Sequence, residues 1–153
     1  MQQIQGIITQ SEKTCLQSGV KLTDKRKHVL MCLLESNRAL SVYEIIDDLK
    51  NKYQICIQAM SIYRILDFLI KENLAHKLQL TKKYIACSHI TCSHEHQLSQ
   101  FLICCECGLV KEIIINKSLV DNLRTTIENA DYCFSSPQLE LSCLCNNCAK
   151  DNP

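Results

Sequence analysis

Through the first half of the chain, apolar residues recur every three or four positions, the spacing that lays one stripe along a helix. Ile7, Ile8, Cys15 and Leu16 form one such stripe, which stops at Gly19. Thr23 is placed to cap a second helix that carries Val29, Leu30, Leu33 and Leu34 on one face. Ser41 with Glu44 three residues on makes a capping box, and the helix it opens buries Val42, Ile45, Ile46 and Leu49. A fourth helix, from about Ala59 to Glu72, gathers Ile62, Ile65, Leu66, Leu69 and Ile70 on one arc. Met60, Arg64, Asp67 and Lys71 fall opposite, with Tyr63 at the border, and Asn73 supplies a stop. The pattern then changes to two short strands, Leu74 to Leu78 and Lys83 to Cys87, around a turn at 79–82. Compact helices followed by a β-hairpin describe a winged helix-turn-helix.

The second half is patterned differently. Leu98 to Ile103 and Leu109 to Ile115 are strand-like and flank the turn Cys104-Cys105-Glu106-Cys107-Gly108. Lys117 to Asn129 has helical spacing in Leu119, Val120, Leu123 and Ile127, and Gln138 to Leu144 reads as a last strand. Ser88 to Gln97 is polar, rich in His and Cys and aperiodic, as a linker would be. The expected organisation is α+β: a winged-helix domain at 1–87, a linker at 88–97 and a small α/β domain at 98–153.

Charge and cysteine usage sharpen this division. Residues 1–83 hold 13 Lys/Arg against 8 Asp/Glu, a net of +5, and residues 84–153 hold 4 against 8, a net of −4. A basic half suits a polyanionic partner, although uneven solvation charge gives the same asymmetry. No apolar run approaches the roughly 18 residues that span a bilayer, and the first residues lack the pattern of an export signal. The chain is therefore expected in the cytoplasm, off the membrane. Its 12 cysteines are then expected to stay reduced, which favours metal ligation over disulfides.

Cys104-x-x-Cys107 and Cys145-x-x-Cys148 are the most specific feature. Each Cys-x-x-Cys turn aims two thiolates at one point, and two such turns supply the four soft ligands of a closed tetrahedral zinc site. With no open position the role is structural. A thioredoxin-like redox pair would instead be a single Cys-x-x-Cys at the head of a helix. Cys105, Cys133 and Cys143 remain as thiols expected to pack as small hydrophobes.

A second, looser set comprises His76, Cys87, His89, Cys92, His94, His96 and Glu112. Singly, each is an ordinary polar residue, but four of the five histidines fall within 76–96. Donors of mixed type drawn from two domains bind metal in one arrangement of those domains, as a sensor requires. A thiolate among imidazoles favours zinc. Spacing does not choose between His94 and His96.

Several segments resemble the ferric uptake regulator (Fur) family. Leu22-Thr23-Asp24-Lys25-Arg26 resembles the start of its DNA-binding domain, and Met60-Ser61-Ile62-Tyr63-Arg64-Ile65-Leu66-Asp67-Phe68-Leu69 its recognition helix. Phe101 to Gly108 with Val110-Lys111-Glu112 resembles its first zinc knuckle, and Leu144 to Cys148 the second. The likeness covers about residues 12–148 and is greatest to the zinc uptake regulator (Zur) branch, through His76-Lys77, Cys87 and the Phe-Leu-Ile-Cys approach. The iron-sensing branch has a His-His-Asp-His run before its first Cys-x-x-Cys, whereas Gln97 to Ile103 stand here.

The resemblance implies a homodimer formed through the second domains and a zinc-responsive repressor of zinc-uptake genes that binds double-stranded operator DNA. It implies one structural zinc per subunit on the four knuckle cysteines. It also implies at least one regulatory zinc on His76, Cys87, a linker histidine (His96 preferred) and Glu112, with His94, His89 and Cys92 as further candidates. Arg64 is the expected base contact, helped by Tyr63 and Ser61, while Thr23, Arg26, Lys82 and Lys83 would meet the DNA backbone. The rival readings are an iron, manganese or peroxide sensor of the same family and a zinc-ribbon module that binds protein. An enzyme is not expected: His94-Glu95-His96 is not a His-Glu-x-x-His helix, and neither a phosphate loop nor a nucleophile elbow occurs. No small-molecule substrate is implied.

Overall fold

The computed structural model describes residues 2–90, 99–133, 135 and 138–151. Most of the expected linker, with Cys92, His94 and His96, lies outside the described residues. The chain divides into two compact units, residues 1–93 and 94–153.

In the first unit, four helices are followed by a hairpin: α1 (Gln2–Gln17), α2 (Asp24–Glu35), α3 (Val42–Tyr53), α4 (Ala59–Lys71), β1 (Ala75–Lys77) and β2 (Tyr84–Ala86). α1 ends where Gly19 adopts a φ of 75°, a left-handed conformation open to glycine without a Cβ penalty. Thr23 occupies the N-cap of α2 with extended backbone, but its side chain makes no capping bond. At α3 the capping box forms in full: Ser41 Oγ accepts from Glu44 N, and the Glu44 carboxylate accepts from Ser41 N. The chain leaves α4 through Asn73, also left-handed at φ 56°.

The stripes expected from spacing converge on one core that includes Leu30, Leu33, Ile45, Leu49, Ile62, Leu66 and Leu69, all fully buried. Ile7, Leu34, Ile46 and Ile70, also expected inside, are half-buried, and Leu16 is exposed, because they stand at the margins of their stripes. β1 and β2 are shorter than expected, yet hydrogen bonds from Cys87 N to Leu74 O and from Leu78 N to Lys83 O extend the ladder at both ends. Leu40, in the turn before α3, bridges Tyr84 through two 2.8 Å bonds and so fastens the wing to the helices.

The second unit holds β3 (Ser99–Cys104), β4 (Val110–Ile113), α5 (Lys117–Glu128), β5 (Gln138–Cys143) and α6 (Asn146–Asp151). The sheet order is β4-β3-β5, with β4 antiparallel and β5 parallel to the central strand. β3 is almost wholly buried, whereas α5 contributes no buried residue despite its amphipathic spacing. Asn116 caps α5 by accepting from Leu119 N at 2.9 Å. α6 was not expected, since six polar and small residues carry no periodicity to read.

Candidate metal centre and nucleic-acid interface

The antiparallel turn from β3 to β4 brings Cys104 and Cys107 together. Gly108, at φ 71°, lets Gly108 N reach Cys104 O at 3.0 Å while Cys104 N bonds Leu109 O at 2.9 Å. The parallel register Cys104↔Cys143 then delivers the end of β5 beside this turn. Cys145 just precedes α6 and Cys148 lies in its first turn, with Cys145 N donating to Cys104 Sγ at 3.3 Å.

A zinc ion with four thiolates at about 2.3 Å occupies a tetrahedron with edges of about 3.8 Å. All four Sγ atoms lie within 4.8 Å of one another, and Cys107 Sγ stands 3.7 Å from Cys145 Sγ. The sulfurs thus already outline that tetrahedron.

Their protonation points the same way. Backbone N–H groups of Cys107 and then Cys145 lower the Cys104 thiol to about 6, and the N–H of Cys148 lowers Cys145. Leu109 N–H pulls Cys107 down, but its hydrogen bond to Cys104 and burial outweigh this, so Cys107 is raised. Cys148 is raised by its hydrogen bonds to Cys145 and Cys107. The same short contacts thus favour the charged form at two of the sulfurs and oppose it at the other two. A dication resolves that conflict, so the donor set fits zinc.

The other cysteines depart in part from expectation. Cys143 is half-buried, with its Sγ 3.7 Å from Ile103 O, but Cys105 and Cys133 are exposed and do not pack as hydrophobes. Their positions explain this: Cys105 is in the knuckle turn and Cys133 follows the end of α5.

On the wing, His76 of β1 pairs with Ile85, and Cys87 lies two residues beyond Ile85 on the same face. This diagonal brings a ligand atom of His76 and the Cys87 thiol within 4.8 Å of one another. Cys87 is buried, and its Sγ accepts from His89 N at 3.4 Å. In the second unit Glu112 lies on β4 opposite Phe101.

α4 buries Ile62, Ile65, Leu66 and Leu69, which leaves Ser61 and Arg64 exposed and Tyr63 41% exposed. Met60 on the same helix and Tyr43 on α3 are also exposed, at 66% and 71%. Thr23 is exposed at the N-cap of α2. Lys82, at the tip of the wing, bonds Gln79 Oε1 at 3.2 Å. Two expected backbone contacts are engaged within the protein. Arg26 stacks its guanidinium 3.5 Å from the Phe68 ring centre and donates to Lys21 O at 2.6 Å. Lys83 pairs with Glu44 at 3.0 Å. Arg38, not selected from the sequence, also reaches Glu44. The available signal was a basic residue in the short turn that leads into a strongly capped helix.

Among the described residues, no helix is long and apolar enough to cross a membrane. The description of the ferric uptake regulator family matches residues 17–149. The zinc uptake regulation protein of Escherichia coli strain K12 is 30% identical over 146 residues, 95% of this chain and 83% of the relative. A zinc uptake regulator solved in complex with zinc and DNA is similar with a TM-score of 0.81 at 28% identity, covering 97% of this chain and 96% of that one. The crystal structure of holo XcZur is similar with a TM-score of 0.77 at 26% identity, over 95% and 98% of the two chains. Over nearly its whole length, cysteine knuckles included, this chain belongs to the ferric uptake regulator family.

Proposed function

We propose that this protein is a zinc-responsive transcriptional repressor of the cytoplasm that binds double-stranded operator DNA as a homodimer and controls zinc-uptake genes. The observation that carries the reading is the near-complete likeness to a zinc uptake regulator complexed with zinc and DNA. Each subunit holds one structural zinc on Cys104, Cys107, Cys145 and Cys148. At least one regulatory zinc is held by His76, Cys87, Glu112 and a linker histidine, His96 by resemblance. The close approach of the His76 imidazole and the Cys87 thiol supports the choice of a soft-donor metal. In this reading the protein is not an enzyme and takes no small-molecule substrate.

Zinc supplies a charge centre that needs all its ligands at once. A metal whose donors come from both units selects the arrangement that completes its shell, and occupancy biases the dimer toward the DNA-binding state. In the dimer, two α4 helices read a two-fold symmetric operator. Arg64 is the base contact, with Tyr63 and Ser61 beside it, and Thr23, Arg26, Lys82 and Lys83 are the candidate backbone contacts of the resemblance.

Fluorescence anisotropy with operator-length duplexes tests the reading, in buffered zinc with ferrous iron and manganese in parallel. The expected result is tight binding switched on by zinc and abolished in Cys87→Ala while the structural zinc stays bound. Binding that follows iron or manganese and ignores zinc would overturn the metal assignment. Absence of duplex binding with every metal would overturn the DNA reading.

A further inference from the structure

Glu44 draws two cations to one carboxylate. It accepts from Ser41 N at 2.7 Å, pairs with Lys83 Nζ at 3.0 Å and meets Arg38 Nη2 at 3.4 Å. Two positive charges on one negative leave the group with a net charge of +1.

The backbone around Arg38 is fixed on both sides. Ser36 Oγ donates to Arg38 O at 2.7 Å and accepts from Arg38 N at 3.2 Å, and Leu40 is bridged to Tyr84. The side chain, by contrast, is 59% exposed. A guanidinium carries five donors in a planar fork, and one contact at 3.4 Å uses little of that capacity.

Tyr84, the next residue of the wing after Lys83, has its hydroxyl pKa raised by burial and then by Tyr63 and Asp67 of α4, which places the Tyr84 side chain within electrostatic reach of that helix. Because Glu44 stands between them, Arg38 and Lys83 keep a common position without mutual repulsion driving them apart.

We propose that Arg38, in the turn that leads into α3, is a DNA-phosphate contact, with Lys83 as its neighbouring cation, an inference that rests on the DNA-binding reading above. The fork of a guanidinium matches the oxygens of a phosphate, whereas a compact lysine ammonium meets them as a point charge. Such a contact fixes register and orientation and carries no sequence information.

Because phosphates are independent of sequence, the test needs no operator. Zinc-loaded protein is titrated onto an arbitrary duplex of about 30 base pairs at several salt concentrations, and the slope of log affinity against log salt is read. Arg38→Gln is expected to lower the slope by about 0.9 and to weaken binding about tenfold at moderate salt for each protomer on the duplex. Arg38→Lys keeps the charge and most of the slope. Arg124→Gln, on α5, makes the same change of net charge far along the chain and leaves the slope intact. An unchanged slope in Arg38→Gln overturns the proposal, and so does an equal fall in Arg124→Gln, which would mark a bulk charge effect. If the wild-type protein binds no duplex at all, it is the DNA-binding reading that fails, and with it the basis of this inference.

Discussion

Glu44→Gln keeps the shape of the side chain and removes its charge, so its effect can be worked from the structure. Burial alone would raise the Glu44 pKa, but Ser41 N–H and the Lys83 ammonium outweigh it and hold the carboxyl at about 2, against a usual 4.5. The shift of about 2.5 units, at about 1.36 kcal/mol each, sets a ceiling of about 3.4 kcal/mol. Some 31% of the side chain is exposed and its ion pairs are screened, so about 1–2 kcal/mol is expected. The folded pKa is depressed. The stabilisation is therefore complete above the unfolded value of 4.5 and disappears as pH falls toward 2. Urea unfolding of wild type and Glu44→Gln, followed by circular dichroism from about pH 7 to pH 3, measures the gap. The difference between the two proteins cancels the acid sensitivity of the zinc thiolates, which both share. A carboxyl ¹³C titration locates the Glu44 midpoint directly. A midpoint near 4.5, or a stability gap that does not narrow in acid, refutes the reasoning.

Other substitutions test other parts of the molecule. Cys107→Ser should remove one zinc per subunit, measured by elemental analysis, and loosen the second unit; full retention of that zinc would contradict the four-thiolate site. Gly108→Ala meets no atom within 4 Å of the added Cβ, so its cost should be the left-handed backbone alone, about 1–2 kcal/mol in thermal unfolding. Arg64→Ala should lose about 1–3 kcal/mol of discrimination between operator and altered duplexes in competition binding, with no change in melting temperature. Equal losses on every duplex would make Arg64 a backbone contact instead.

The helices of the first unit were legible because each carries a periodic apolar stripe and most carry a mark at one end. Ser41 and Glu44 mark a start, Gly19 and Asn73 mark ends, and Ile62 to Leu69 repeat at one period over about two turns. The cysteine pairs were legible for a similar reason, since two residues between thiols already set the turn. What could not be read depended on tertiary partners. Nothing in local sequence says that Lys83 meets Glu44 across 39 positions or that Arg26 lies on Phe68. Both residues look like free surface cations until the fold supplies a carboxylate and a ring. The parallel pairing of β5 with β3 was equally hidden, because strand pattern gives a face but no partner.

The two units are held by different means, and this bears on how metal and assembly are linked. In the first, a cluster of fully buried leucines and isoleucines needs no metal. In the second, burial is concentrated on β3, α5 buries nothing, and Ile114, Leu119, Tyr132, Leu141 and Leu144 all lie 43% or more exposed. So small an apolar interior calls for a staple, and the cysteine site provides one by tying the end of β5 to the β3–β4 turn. The apolar surface that remains suits a second copy of the same unit, which would complete what one copy leaves open. On the reading proposed above, dimerisation would then depend on the cysteine-bound zinc and not on the zinc held through Cys87. Chelation strong enough to empty the cysteine site should therefore yield monomer in sedimentation equilibrium, whereas Cys87→Ala should remain dimeric as long as the cysteine site stays loaded. A dimer that survives loss of the cysteine-bound zinc would separate the two and place the stability of the second unit in its protein contacts alone.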